Sequence, residues 1–125
     1  MVAVKASGEA GTITSRNEVV LVGRLAAAPE QRALPSGALL TTWRLVVERP
    51  PGGRKPPEGV RVPTIDTVDC VAWVSAVQRS AGTWEPGDVL SVEGSLRRRF
   101  WRSPTGASSR YEVEVSRAKR LARPR

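Results

Sequence analysis

The chain has 125 residues, enough for one domain with one core, and carries a formal net charge of +8, from 20 Lys and Arg against 12 Asp and Glu. It has no histidine and a single cysteine, Cys70, which removes the commonest general base, the commonest metal ligand and any internal disulfide. No metal, no cofactor and no covalent chemistry are therefore expected. The cationic surplus points to a polyanionic partner, and no apolar run approaches the roughly 20 residues of a membrane-crossing helix.

In chain order, residues 1–15 are small and polar and are expected to form a flexible lead-in without a secretory signal. From Asn17 to Leu25, the β-branched run Val19-Val20-Leu21-Val22 predicts a strand, with Gly23 at a bend or bulge. Pro35-Ser36-Gly37 is a turn signal, and Ala38 to Val47 predicts a second long strand in a hairpin joined at Pro35 to Gly37. Its alternation puts Trp43, Leu45 and Val47 on one face and Thr42, Arg44 and Val46 on the other. Residues 49–64 hold five prolines and three glycines, too many missing N–H donors for a central strand, so they predict a long mobile loop. Arg49, Arg54, Lys55 and Arg61 lie along it, and it reads either as a spacer or as an arm around a nucleic-acid strand.

Asp66 to Val74 predicts a third strand, with Cys70 on the face it shares with Val68, Ala72 and Val74. Nothing basic accompanies that thiol, so Cys70 is read as a small core residue. Ser75 is expected to cap a short helix from Ala76 to Trp84, whose apolar face is Val77, Ala81 and Trp84. Glu85-Pro86-Gly87 turns the chain. Asp88 to Arg102 predicts a strand bent at Gly94, Ser103 to Ser109 a hairpin loop, and Arg110 to Leu121 a last strand. A helix between the third and fourth strands of a small all-β chain is the plan of a five-stranded OB-fold barrel. The domain is expected over 16–121, with a short basic tail at 122–125.

Three stretches carry a family resemblance. Asn17-Glu18-Val19-Val20-Leu21-Val22-Gly23-Arg24-Leu25, followed by Pro29-Glu30-Gln31-Arg32 and Pro35-Ser36-Gly37, resembles the opening of bacterial single-stranded-DNA-binding proteins. Asp69-Cys70-Val71-Ala72-Trp73 resembles their central strand. Gly87 to Trp101 (GDVLSVEGSLRRRFW) is similar to the family's K-G-D-x-V-x-V-E-G-x-L-R-x-R-x-W segment, and Gly106 and Arg110-Tyr111 continue it. The resemblance implies an OB barrel that binds single-stranded DNA without sequence preference, usually as a homotetramer, with a dimer as the other candidate state. Its setting would be replication, recombination or repair on the nucleoid. The single cysteine also suits a reducing cytoplasm.

By position in these motifs, Trp101 matches the family's stacking Trp, Trp73 its stacking aromatic on the central strand, and Arg97 and Arg99 the arginines beside that Trp. Alternation from Leu96 to Arg102 independently puts Arg97, Arg99 and Trp101 on one face, two cations beside a ring on which a base can stack. Leu96 and Phe100 are assigned to the opposite, core-facing side. Arg44 is a further contact candidate, as are Arg16, Arg24, Arg32 and Arg110 at strand ends and loops. Trp43 and Trp84 are assigned to the core. All but three of the 20 cations are arginine. That suits stacking and phosphate forks, although GC-rich codon usage explains most of the bias.

The chain also departs from the family. Pro50-Pro51 and Thr67 stand where members often carry further tryptophans. Asp69 lies on the expected DNA face, where a basic residue is common, and repels phosphate unless an arginine pairs with it. The end, Lys119 to Arg125, is basic where housekeeping members have an acidic tail that recruits partners. No acidic-tail partners are therefore expected, and an accessory paralogue is the favoured role. Two other readings stay open: a primosome-type protein-interaction module with weak DNA affinity, and an RNA-binding OB domain.

Overall fold

The computed structural model describes residues 14–52 and 55–124. The segment expected to be flexible therefore lies, up to residue 13, outside the described residues, as does Arg54. The elements are β1 (Val19–Leu25), β2 (Glu30–Ala33), β3 (Leu39–Glu48), β4 (Ile65–Ala72), α1 (Ser75–Ala81), β5 (Val89–Ser103) and β6 (Gly106–Ala122). Five long strands close in the ring β1-β5-β6-β4-β3-β1, antiparallel throughout except for the parallel pair β4–β6. This is the expected barrel. The helix follows β4 rather than lying between β3 and β4, because the four residues of β2 fold back on β3 and add a strand that their polar sequence conceals.

Closure depends on two glycines. β1 pairs with β5 over most of its length and passes to β3 at Arg24 and Leu25. At this crossing a Cβ on Gly23 would collide with the backbone carbonyl of Val46. Gly94 sits at a register shift between β5 and β6, where a Cβ would collide with the carbonyl of Glu114. The missing side chains let β1 cross and β5 bend without opening the ring.

The barrel is filled by Leu25, Trp43, Leu45, Cys70, Ala72, Leu90, Val92, Val113 and Val115, with Val77, Ala81 and Trp84 packed on it from α1 and the turn that follows. Trp43 and Trp84 meet edge to face, with centroids 5.1 Å apart and planes at 81°, a geometry that aligns the positive ring edge with the negative face. Both tryptophans are thus in the core, as expected. Ser75 is the first helical residue and not the cap. Val74 holds the cap position, with no side-chain hydrogen bond there. The helix is tied to the sheet instead by Gln78, whose Nε2 donates to the carbonyls of Leu39 (2.8 Å) and Ala72 (3.1 Å).

The β5–β6 hairpin extends past the barrel. Its turn is tight, Pro104-Thr105 between the paired residues Ser103 and Gly106, and Ala107 to Ser109 belong to β6 rather than to a loop. Asn17 marks where the hairpin leaves the barrel: its amide accepts from Leu96 N–H and donates to Leu96 C=O, both at 2.8 Å, like one more strand residue. The 49–64 loop is closed at its base by Arg49 N–H donating to Thr64 C=O (2.8 Å) and by an Arg49–Asp66 ion pair. That contact raises the Arg49 pKa, through the hydrogen bond first, and lowers that of Asp66 for the same reason.

Candidate nucleic-acid interface

Cross-strand register sorts the projecting hairpin into two faces. One carries Arg97, Arg99 and Trp101 on β5, opposite Glu112, Arg110 and Ser108 on β6. Trp101 is 41% exposed, and the Arg110 guanidinium stands 6.0 Å from its ring centroid, near the outer limit for a cation–π contact. The indole is therefore open to a planar ligand and outside the core.

The other face carries Leu96, Arg98 and Phe100 opposite Val113, Tyr111 and Ser109. The expected assignment of Leu96 and Phe100 to the core does not hold: Phe100 is 68% exposed because its part of the hairpin has left the barrel, and Leu96 is exposed although its register partner Val113 is buried in the barrel. Arg98 fills the gap between the rings, 5.2 Å from the centroids of both Phe100 and Tyr111, and also bonds Ser109 Oγ. Sequence reading missed this cation–aromatic cluster because alternation gives two faces without saying what covers either.

Beside the first face, a groove of about 430 Å³ runs from the β2–β3 hairpin across β4 to β5 and β6. Arg32, Arg44, Arg99 and Arg110 line it, together with Glu30, Asp69 and Glu112; Trp43 and Cys70 form part of its floor. Arg32 and Arg99 make no ion pair among the described residues. Arg44 and Arg110 both meet Asp69, Arg44 Nε at 3.1 Å from Oδ1 and Arg110 Nη1 at 3.9 Å from Oδ2. The Asp69 carboxylate is thus paired on both sides. Glu112 is only 7% exposed. Burial first, then the charges of Asp69 and Glu112, push the Cys70 thiol up to about 12, so Cys70 is an inert core group.

The remaining expected residues do not line this groove. Trp73 is exposed just past the end of β4. The parallel register that sets Cys70 level with Val113 carries Trp73 away from the hairpin tip, where Trp101 sits. Arg97 is held by Glu114 at 3.1 Å, Arg24 points outward where β1 changes partner, and Arg16 pairs with Glu18 at 3.0 Å. The structure therefore brings together Arg32, Arg44, Arg99, Arg110 and Trp101, and leaves Trp73, Arg97, Arg24 and Arg16 around that group. Among the described residues no cluster of His, Cys, Asp and Glu could hold a metal ion, and no helix is long and apolar enough to cross a membrane.

An open ring next to a basic groove on an OB barrel invites comparison with known proteins. The model of the single-strand binding protein family matches residues 16–121. The chain belongs to this family. Relatives within it include the single-stranded DNA-binding protein of Thermotoga maritima, 32% identical over 99 residues, which are 79% of this chain and 67% of that protein. Single-stranded DNA-binding protein A of Bacillus subtilis is 34% identical over 90 residues, 72% of this chain and 49% of the relative. The match thus spans from about half to two-thirds of these relatives' lengths. The fold is similar to that of the Plasmodium falciparum SSB in its complex with ssDNA, with a TM-score of 0.73, 20% identity, and coverage of 87% of this chain and 97% of that one.

Proposed function

We propose that this member of the single-strand binding protein family binds single-stranded DNA without sequence preference. Bases stack on Trp101, and the phosphodiester chain runs along Arg32, Arg44, Arg99 and Arg110. The observation that carries this reading is the exposed Trp101 ring beside a groove lined by four arginines. Every base has a flat face, so stacking is blind to sequence and contributes about 1–3 kcal/mol per base. Guanidinium groups fork onto phosphate oxygens in the same sequence-independent way. Trp73, Arg97, Arg24 and Arg16 serve as outlying contacts for a longer strand.

The names of the family relatives support DNA as the partner; replication, recombination or repair on the cytoplasmic nucleoid is proposed as the setting. Assembly is proposed as a homotetramer. The exposed Val20 and Val22 on the outer face of β1 support a contact between subunits. One observation favours the second reading, a protein-interaction module with weak DNA affinity: Glu30, Asp69 and Glu112 offset much of the groove's positive charge.

The test is a tryptophan-fluorescence titration with oligo(dT), oligo(U) and duplex DNA at several salt concentrations, run with light scattering to count subunits. Quenching by oligo(dT) is expected, with log K falling against log salt at a slope of up to roughly −3 for four phosphates. Preference for oligo(U) would move the reading to RNA. Absence of binding to all three would favour the protein-interaction module.

A further inference from the structure

Resting on the reading of this groove as a single-stranded-DNA site, we propose that Asp69 is a built-in counter-ion. It competes with the DNA backbone for Arg44 and Arg110, and so sets the affinity and salt response of the groove below what its arginines alone would give.

The geometry is that of a shared carboxylate. Asp69 sits on β4 between its register partner Arg44 on β3 and Arg110 on β6. Each carboxylate oxygen faces a different arginine, Oδ1 the Nε of Arg44 and Oδ2 the Nη1 of Arg110. A phosphodiester also presents two anionic oxygens, so Asp69 occupies the donors that a phosphate would use. The contacts are not sealed: the side chains of Arg44, Arg110 and Asp69 are 64%, 45% and 31% exposed. Ion pairs this open exchange readily and add little to folding, while backbone pairing of β4 with β3 and β6 holds the strand whatever side chain stands at 69.

An incoming strand therefore meets Arg32 and Arg99 first, which make no ion pair among the described residues, and must then displace or share Asp69 to reach the other two. Displacement leaves an unpaired carboxylate facing the backbone, which is a repulsion. The link reaches the stacking ring too, since Arg110 is the cation beside Trp101. The opposite role, a carboxylate that positions the two arginines for DNA, predicts the opposite sign and is the alternative under test.

The experiment compares the full chain with Asp69→Asn and Glu30→Gln in oligo(dT) titrations across a salt series. Asparagine keeps the shape and an acceptor but not the charge. Glu30 lines the same groove and makes no ion pair among the described residues, so its variant measures the bare effect of one charge. Asp69→Asn is expected to tighten binding by about three- to tenfold at moderate salt. Its log–log salt slope is expected to steepen by about 0.7 for each phosphate gained, with Glu30→Gln changing both distinctly less. Unchanged or weaker binding by Asp69→Asn, or an effect equal to that of Glu30→Gln, overturns the proposal while leaving the DNA site standing. Binding by Asp69→Asn alone, with none by the parent, supports it in its strongest form. Binding by none of the three proteins overturns both the proposal and the site.

Discussion

The Asp88 carboxylate is buried in the turn after α1 and held by Arg123, with Nε 2.9 Å from Oδ1 and Nη2 3.0 Å from Oδ2. The Glu85 N–H adds a third bond at 2.9 Å. These contacts, the Arg123 hydrogen bonds foremost, lower its pKa to about 2 against the cost of burial. A carboxyl that ionises more readily folded than unfolded stabilises fully above its ordinary value near 4, and this contribution is lost as pH falls through about 2. Asp88→Asn is therefore expected to lower the melting temperature at neutral pH and to flatten the loss of stability between about pH 4 and pH 2. Parallel melting curves for parent and variant through that window would contradict this. Cys70 offers a second check. With its pKa near 12 and its side chain buried, the thiol is expected to react with a disulfide reagent at pH 8 only after denaturant is added. Prompt reaction in native buffer would refute it.

Among the elements, β1 was legible from its short β-branched run, and β3, β4 and β5 because period-2 alternation is what a half-buried strand requires and a helix does not produce. The bend at Gly94 was legible too, though its cause, the crowding against Glu114, involves a partner strand that no local pattern names. Gly94→Ala is expected to destabilise the barrel by about 1–3 kcal/mol, as overpacking does, read as a lower denaturant midpoint. An unchanged midpoint would show that β5 bends without needing the gap. Misreadings arose where composition stood in for context. Ala107, Ser108 and Ser109 look like loop but pair with Arg102, Trp101 and Phe100. Phe100 looks like core but stands on an exposed ribbon. The site was half legible: Trp101 and Arg99 share one short strand, whereas the Arg44–Asp69–Arg110 link joins three strands far apart in sequence and exists only once the barrel closes.

For the molecule as a whole, the barrel supplies rigidity and the β5–β6 hairpin supplies reach. The ring and the arginines of the proposed site are mounted on paired strands, which hold them in place before a ligand arrives and so reduce the ordering cost of binding. The net charge of +8 draws any polyanion, so charge alone does not select unpaired strands; only an open ring that stacks on unpaired bases does. The most direct measurement is accordingly the affinity of Trp101→Ala for oligo(dT), set against that of the parent at one fixed salt concentration. Loss of about 1–3 kcal/mol, with an unchanged melting temperature and loss of most of the fluorescence quenching, is the result expected. Equal affinity in the two proteins would contradict the account, since the strand would then be held by charge alone or at another face.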